Sequence, residues 1–257
     1  KGMLIGIDAD TAAVERAKIA LSAAKPRIHL EVGNFRNLKG VLEHCGVAGI
    51  TKVLFDLGWS GYQLAAGRGF SFQTDEPLLM TYGDPTAQLV TARLIVNTWK
   101  EESIADILYG WGEERYAKRI AKAIVERRKR KAIETAGELG ELIASAVPSH
   151  YRRGKLHPAT KSFQALRIAV NDEMGALKEG LAAAWEVLSP GGRIAVISFH
   201  SVEDREVKRK MKDWSQSGEG IRITKSPIKP SREEVLANPR SRSAKIRVIE
   251  KVLNKNV

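Results

Sequence analysis

The sequence predicts an α/β fold: an open, largely parallel sheet interrupted by a helical insertion. Three observations predict it. Short apolar strand patterns alternate with helical ones from Met3 to Gly58, the alternation gives way to purely helical patterns from about Asp84 to His157, and strand patterns then return. Strands separated by helices imply parallel βαβ units with helices on both faces of the sheet. The expected division is a core of residues 1–83 and 158–257, with residues 84–157 as a helical, basic insertion.

Each element has its own signal. MLIGID (Met3 to Asp8) is a short buried-strand run, and Thr11 can cap a helix running to Ala24. RIHLEVG (Arg27 to Gly33) is a second strand, followed by a short helix around Arg36 to His44, and TKVLFDLG (Thr51 to Gly58) is a third strand ending in glycine. Within the insertion, Tyr116, Ile120, Ala123 and Ile124 share one helical face while the opposite face is nearly all Lys and Arg. Leu166, Val170, Met174, Leu177, Leu181, Trp185 and Leu188 are spaced 4, 4, 3, 4, 4, 3, which predicts one long amphipathic helix stopped at Pro190-Gly191-Gly192. GRIAVISFH (Gly192 to His200) is a buried strand with a polar end, and a basic helix follows over Glu203 to Asp213. GIRITK is a weak strand, and SAKIRVIEKV (Ser243 to Val252) alternates as an edge strand does.

Composition narrows the partners. The chain has 257 residues, 43% hydrophobic and 28% charged, which is ordinary globular composition and argues against wholesale disorder. Its 42 Lys and Arg against 30 Asp and Glu give a net charge of +12, which favours a polyanionic partner through counterion release. No apolar run approaches the roughly 18 residues of a membrane span, and no signal-peptide pattern opens the chain. Cys45 is the one cysteine, so an internal disulfide and a cysteine metal cluster are excluded, and a reducing cytoplasm is expected. Residue 1 is Lys, so the sequence is expected to start inside a longer reading frame.

Ligands of open parallel sheets lie outside the carboxyl ends of the strands. Those ends carry Asp8, Asp56-Leu57-Gly58 and Ser198-Phe199-His200-Ser201. An acid ending such a strand accepts hydrogen bonds from both ribose hydroxyls of a nucleoside, worth roughly 1.5–3 kcal/mol when the acceptor is charged. Alternatively, Asp8 or Asp10 caps the following helix. No GxGxxG occurs, and GIDAD matches the end of the second strand of a nucleotide-binding unit. Either the cofactor loop lies upstream of Lys1, or the sheet binds no nucleotide.

His200 follows a strand end, where it either orients a substrate or satisfies local backbone, and His157 before Pro158 fixes a turn. His29, His44 and His150 lack a carboxylate at metal-ligand spacing, and no metal motif is present. Asn171 and Asp172 lie on the long helix, from which Asn171 reaches the crevice or packs helices together. Trp59 and Tyr62 either stack on a flipped base or cover the sheet edge. The polyanion footprint comprises Arg119, Lys122, Arg127 and Arg128 on the Arg115–Lys131 helix, with Arg205, Lys208, Arg209 and Lys210. A third group is Arg240, Arg242, Lys245 and Arg247.

Six ordered strings narrow the reading: FDLGWSGYQL (Phe55 to Leu64), RGFSF (Arg68 to Phe72), YGWGEERYAKRIAKAIVERR (Tyr109 to Arg128), HPATKSFQALRIAVNDE (His157 to Glu173), LSPGGRIAVISFHSVEDREVKR (Leu188 to Arg209) and NPRSRSAKIRVIEK (Asn238 to Lys251). Together they make the chain resemble, over essentially its whole length, the bacterial 16S ribosomal RNA cytosine-N4 methyltransferases that use S-adenosylmethionine. The resemblance implies a Rossmann-like class I methyltransferase sheet, its first strand and glycine-rich loop missing from this chain, with an inserted helical domain. It implies methyl transfer to the exocyclic amine of a cytosine in the small ribosomal subunit, and it permits a homodimer.

By the same likeness Asp8 holds the cofactor ribose, Phe35 sits beside the adenine, and Asp56 and Gln63 complete the pocket near the methyl group. Asp56, His200 and Asn171 are the catalytic candidates. The family's DLGVSSPQLD stands here as DLGWSGYQLA (Asp56 to Ala65), and its PLDMRMD as PLLMTYG (Pro77 to Gly83), both near the expected mouth of the site. Two rival readings are a degenerate homologue that binds RNA without catalysis, and a dehydrogenase.

Overall fold

A computed structural model describes residues 2–24, 27–84 and 88–252. In chain order the elements begin with β1 (Met3–Asp8), α1 (Thr11–Ala20), β2 (Arg27–Val32), α2 (Leu38–His44), β3 (Ile50–Asp56) and α3 (Gly61–Leu64). Helices follow: α4 (Ala92–Thr98), α5 (Glu101–Gly110), α6 (Ala117–Arg128), α7 (Ala136–Ala146), α8 (Ser149–Arg152), α9 (Thr160–Asn171) and α10 (Glu173–Val187). The chain closes with β4 (Leu188–Ser198), α11 (Ser201–Gln216), β5 (Gly220–Arg222), α12 (Arg232–Ala237) and β6 (Lys245–Lys251). Two compact units result, an α/β unit of residues 1–58 and 174–257 and a helical unit of residues 59–173.

In the α/β unit, β1 and β2 pair in parallel, while β3, β4, β6 and β5 form a second sheet in that order. β3 and β4 are parallel; β6 runs antiparallel to both β4 and β5. The expectation of an edge strand at Ser243 to Val252 is therefore corrected, because β6 lies between two neighbours and the three-residue β5 takes the edge. Alternation reports which face of a strand is buried and carries no information about lateral neighbours. Asp10, not Thr11, caps α1, its side chain accepting the Ala12 N–H at 3.1 Å, and the helix ends at Ala20.

The predicted single helix through Leu188 is also corrected. It breaks at Asp172, whose φ of 45° and ψ of 44° lie in the left-handed region and end α9. The apolar spacing runs on because both helices bury a face, but in different cores. Leu166 and Val170 belong to the helical unit's cluster, whereas Trp185 stacks on Trp214 in the α/β unit with centroids 4.2 Å apart.

The helical unit is built on fully buried Ile95, Ile104, Leu108, Ile120, Ile124, Leu139 and Ile143. It reaches beyond the expected 84–157 at both ends. Leu78 and Met80 are fully buried in the same core, and the Leu78 N–H donates to the Glu134 carbonyl at 3.0 Å. Pro77 forms a bridge with Thr135, which ties this segment to the entry of α7. The crossing requires Gly69, with φ of 72°, since a Cβ there would lie 2.4 Å from the Pro77 oxygen. No helix among the described residues is long and apolar enough to cross a membrane.

Candidate active site

Asp8 ends β1 and opens to solvent, with one carboxylate oxygen accepting the Asp10 N–H at 2.8 Å. Partial desolvation raises its pKa above the ordinary 3.8; the neighbouring Asp10 charge adds to this, and the Asp10 N–H and Arg16 oppose it. Since Asp10 performs the capping, the two acids that the sequence left interchangeable have separate tasks. Phe35 begins a 3-10 turn after β2, entered through Asn34, whose side chain accepts the Arg36 N–H at 3.0 Å. Its ring meets Phe55 of β3 edge-on at a centroid distance of 5.4 Å. Gly180 of α10 makes room for that ring, for a Cβ there would stand 2.5 Å from Phe35 Cδ2.

Asp56 ends β3. Its pKa is raised first by desolvation and second by the charge of Glu203. Glu203 is 3% exposed and lies in the first turn of α11. One of its oxygens accepts the Phe199 N–H at 3.0 Å, and the other lies 3.0 Å from His200 Nε2. His200 is the N-cap of the same helix, with Nδ1 accepting the Glu203 N–H at 3.4 Å. Nε2 is buried and makes no hydrogen bond among the described residues, although Glu203 lies 3.0 Å away. The strand ends thus bring Asp56 and His200 to one buried carboxylate that sequence reasoning missed. The signal was present as His200-x-x-Glu203, the spacing of a capping box at a helix start.

The remaining candidates lie in the helical unit. Gln63 is buried and closes a capping box with Ser60, its Oε1 accepting the Ser60 N–H at 2.8 Å. Asn171 clamps the Met80–Tyr82 backbone: Nδ2 donates to the Met80 carbonyl at 2.7 Å, and Oδ1 accepts the Tyr82 N–H at 2.8 Å. Tyr82 in turn donates to Glu173 at 2.9 Å, and Glu173 takes a two-point contact from Arg167 at 2.7 and 2.9 Å. Thr81, one of the departures from the family pattern, is fully buried behind this clamp.

The basic residues divide. Arg119 and Lys122 are exposed, as are Arg205, Lys208, Arg240 and Arg242. Arg128 instead donates to the Val96 carbonyl at 2.9 Å, and Arg127 to the Lys131 carbonyl at 2.6 Å. Arg247 is buried at 7% and pairs with Asp204 at 2.7 Å, with Lys245 at 3.3 Å, so these two leave the polyanion footprint. Burial opposes the Asp204 charge, but Arg247 and Lys245 outweigh it and hold the pKa below 3.8. His157 does fix its turn, Nδ1 accepting the Ala159 N–H at 3.2 Å. His29 has a carboxylate after all, Glu31 at 3.0 Å, because residues two apart on a strand share a face.

The model of the MraW methylase family matches residues 1–252. Three relatives carry the name Ribosomal RNA small subunit methyltransferase H. The Synechococcus elongatus protein is 47% identical over 251 residues, covering 97% of this chain and 80% of its own. That of Persephonella marina is 46% identical over 249 residues, with 97% and 84% covered. That of Brevibacillus brevis is 45% identical over 267 residues, with 98% and 84% covered. A family model that matches nearly the whole chain, joined to identity at this level over nearly the whole length, places the chain in the MraW methylase family.

Proposed function

We propose that the chain transfers a methyl group from S-adenosylmethionine to the N4 amine of a cytosine in small-subunit (16S) ribosomal RNA. The observation that carries this reading is the convergence of Asp56, Glu203 and His200 at the ends of β3 and β4, with Phe35 packed on the residue before Asp56. The donor set suits the cofactor: Asp8 offers a carboxylate to the ribose hydroxyls, and Phe35 offers an apolar flank to the adenine. When bound, S-adenosylmethionine supplies a methyl group activated on a sulfonium.

A cytosine N4 is a poor nucleophile because its lone pair is delocalised into the ring. Asp56 accepts a hydrogen bond from one N–H of that amine, which localises the lone pair on nitrogen. Its raised proton affinity suits it to take the proton that the amine releases after transfer. Glu203 positions the pair, anchored by the Phe199 N–H and facing His200. The larger part of the rate comes from holding the reactants in line, an effect worth about 7–11 kcal/mol. The base must leave its stack, at a few kcal/mol, least in a single-stranded loop. Asn171 is a positioning residue that fixes the Met80–Tyr82 segment. Exposed Arg119, Lys122, Arg205, Lys208, Arg240 and Arg242 supply phosphate contacts, each steepening the salt dependence by about 0.7 on single strands.

The test is incorporation of labelled methyl from S-adenosylmethionine into small-subunit RNA or the subunit, with the product nucleoside identified by mass spectrometry. N4-methylcytidine is expected. Salt-dependent RNA binding with no cofactor affinity would instead make the chain an RNA-binding module, and label at any other position would refute the assignment.

A further inference from the structure

The helical unit contains a cavity of about 310 Å³ whose walls include Arg115, His150, Tyr151, Lys155, His157 and Lys161. No acidic side chain lines it among the described residues. One wall is held rigidly by the turn before α6. Buried Glu114 accepts the Tyr116 N–H at 2.8 Å and the Tyr151 hydroxyl at 2.6 Å. Those two rings meet edge-on with centroids 5.0 Å apart, and Arg115 packs against both, its guanidinium carbon 4.9 Å from the Tyr116 centroid and 4.7 Å from that of Tyr151. The guanidinium is thereby ordered before any ligand arrives.

Other lining residues are fixed as well. His157 stacks on Phe72 at 4.2 Å with rings 15° apart, and its Nδ1 accepts the Ala159 N–H. Burial lowers its pKa, so the ring is neutral near pH 7 with its N–H on Nε2. Lys161 is steadied by donating to the Glu113 carbonyl at 2.9 Å, and Lys155 is exposed at the rim. Three cations without an acid, beside Tyr151, Leu156 and His157, make a site for an anion attached to an amphipathic group.

We propose that this cavity takes a backbone phosphate of the RNA substrate, with Arg115, Lys155 and Lys161 as its cations and the sugar against Tyr151 and Leu156. The proposal rests on the ribosomal RNA reading above and adds a defined site separate from the open Arg119–Lys122 face. A planar guanidinium held against two rings matches the paired oxygens of a phosphodiester. The volume lies at the small end of nucleotide-sized sites.

The test compares the full chain with a Lys155→Gln/Lys161→Gln double variant, chosen because neither side chain belongs to the core. Affinity for small-subunit RNA is measured against KCl concentration, and the His157 ring resonance is followed by NMR during titration with inorganic phosphate. We expect the salt slope to fall by about 1.4, affinity at low salt to drop on the order of tenfold, and the cofactor affinity to stay unchanged. Phosphate should shift the His157 resonance in the wild type and not in the variant. An unchanged slope, with wild-type RNA binding intact, would overturn the site while leaving the proposed function standing. A phosphate response with an unchanged slope would also overturn it, leaving an adventitious ion only. If the wild type binds no small-subunit RNA, the ribosomal reading fails and this site with it.

Discussion

Paired polar groups inside the helical unit contrast with two exposed strand-end acids of the α/β unit. In the helical unit Asn171, Glu173, Arg167 and Glu114 are each satisfied by backbone or by one another, and they fix the course of the chain. In the α/β unit the strand-end acids Asp8 and Asp56 are held above their ordinary pKa by desolvation and by a neighbouring carboxylate. Acids made energetically uncomfortable at the ends of strands are ready for a ligand; acids that are fully paired hold architecture. The Asp204–Arg247 pair shows that the α/β unit also contains the second kind, away from the strand ends.

That contrast is open to direct attack. Arg247→Met leaves Asp204 with Lys245 alone and should destabilise the α/β unit by about 3 kcal/mol in urea denaturation near pH 7. Because the folded Asp204 pKa is lowered, the pair's stabilisation is present above the unfolded value of 3.8 and disappears as pH falls through the folded value. The gap between wild type and variant should therefore close in acid; a gap that persists would refute the pairing. Asp56→Asn should do the reverse, lowering methyl transfer about 10²-fold, equivalent to about 2.7 kcal/mol, with stability unchanged or improved. A variant that is both active and less stable would move Asp56 into the architectural class.

Smaller effects refine the boundary. Asn171→Ala removes the clamp on two backbone groups and should cost about 2 kcal/mol of stability, read by thermal melting, with the larger effect on the helical unit. Gly180→Ala drives a methyl into Phe35 and should cost about 1–2 kcal/mol, with weakened S-adenosylmethionine binding by calorimetry. Glu203→Gln keeps an acceptor for the Phe199 N–H but removes a negative charge beside Asp56. The Asp56 pKa then falls, and the acidic limb of the kcat/KM profile should move to lower pH. An unmoved limb would mean that Asp56 does not govern that limb.

Much of this is legible in the sequence. The strand ends at Asp8 and Asp56 follow from short apolar runs that stop at acids, and the helical insertion from the loss of period-two patterning. The break at Asp172 was not readable, because a 3.6-residue apolar rhythm persists whether its two halves face one core or two. Glu203 was missed for a related reason: an acid in a basic helix reads as a surface partner until the helix start is seen to sit over a strand end. Arg247 looked like a phosphate ligand because its charge is visible in sequence and its burial beside Asp204 is not.

The sequence by itself determined the class of fold, the family through six ordered motifs, and the residues that end the strands. These depend on local periodicity and residue identity, which the chain carries along its length. Only the tertiary structure decided which acids share a field, which arginines are paired, where residues 59–83 and 158–173 belong, and that Arg115 packs against two tyrosines in the wall of a cavity. Those facts depend on distances between residues far apart in the chain, and the energies that set them, desolvation and charge pairing, vary with surroundings that no linear pattern records.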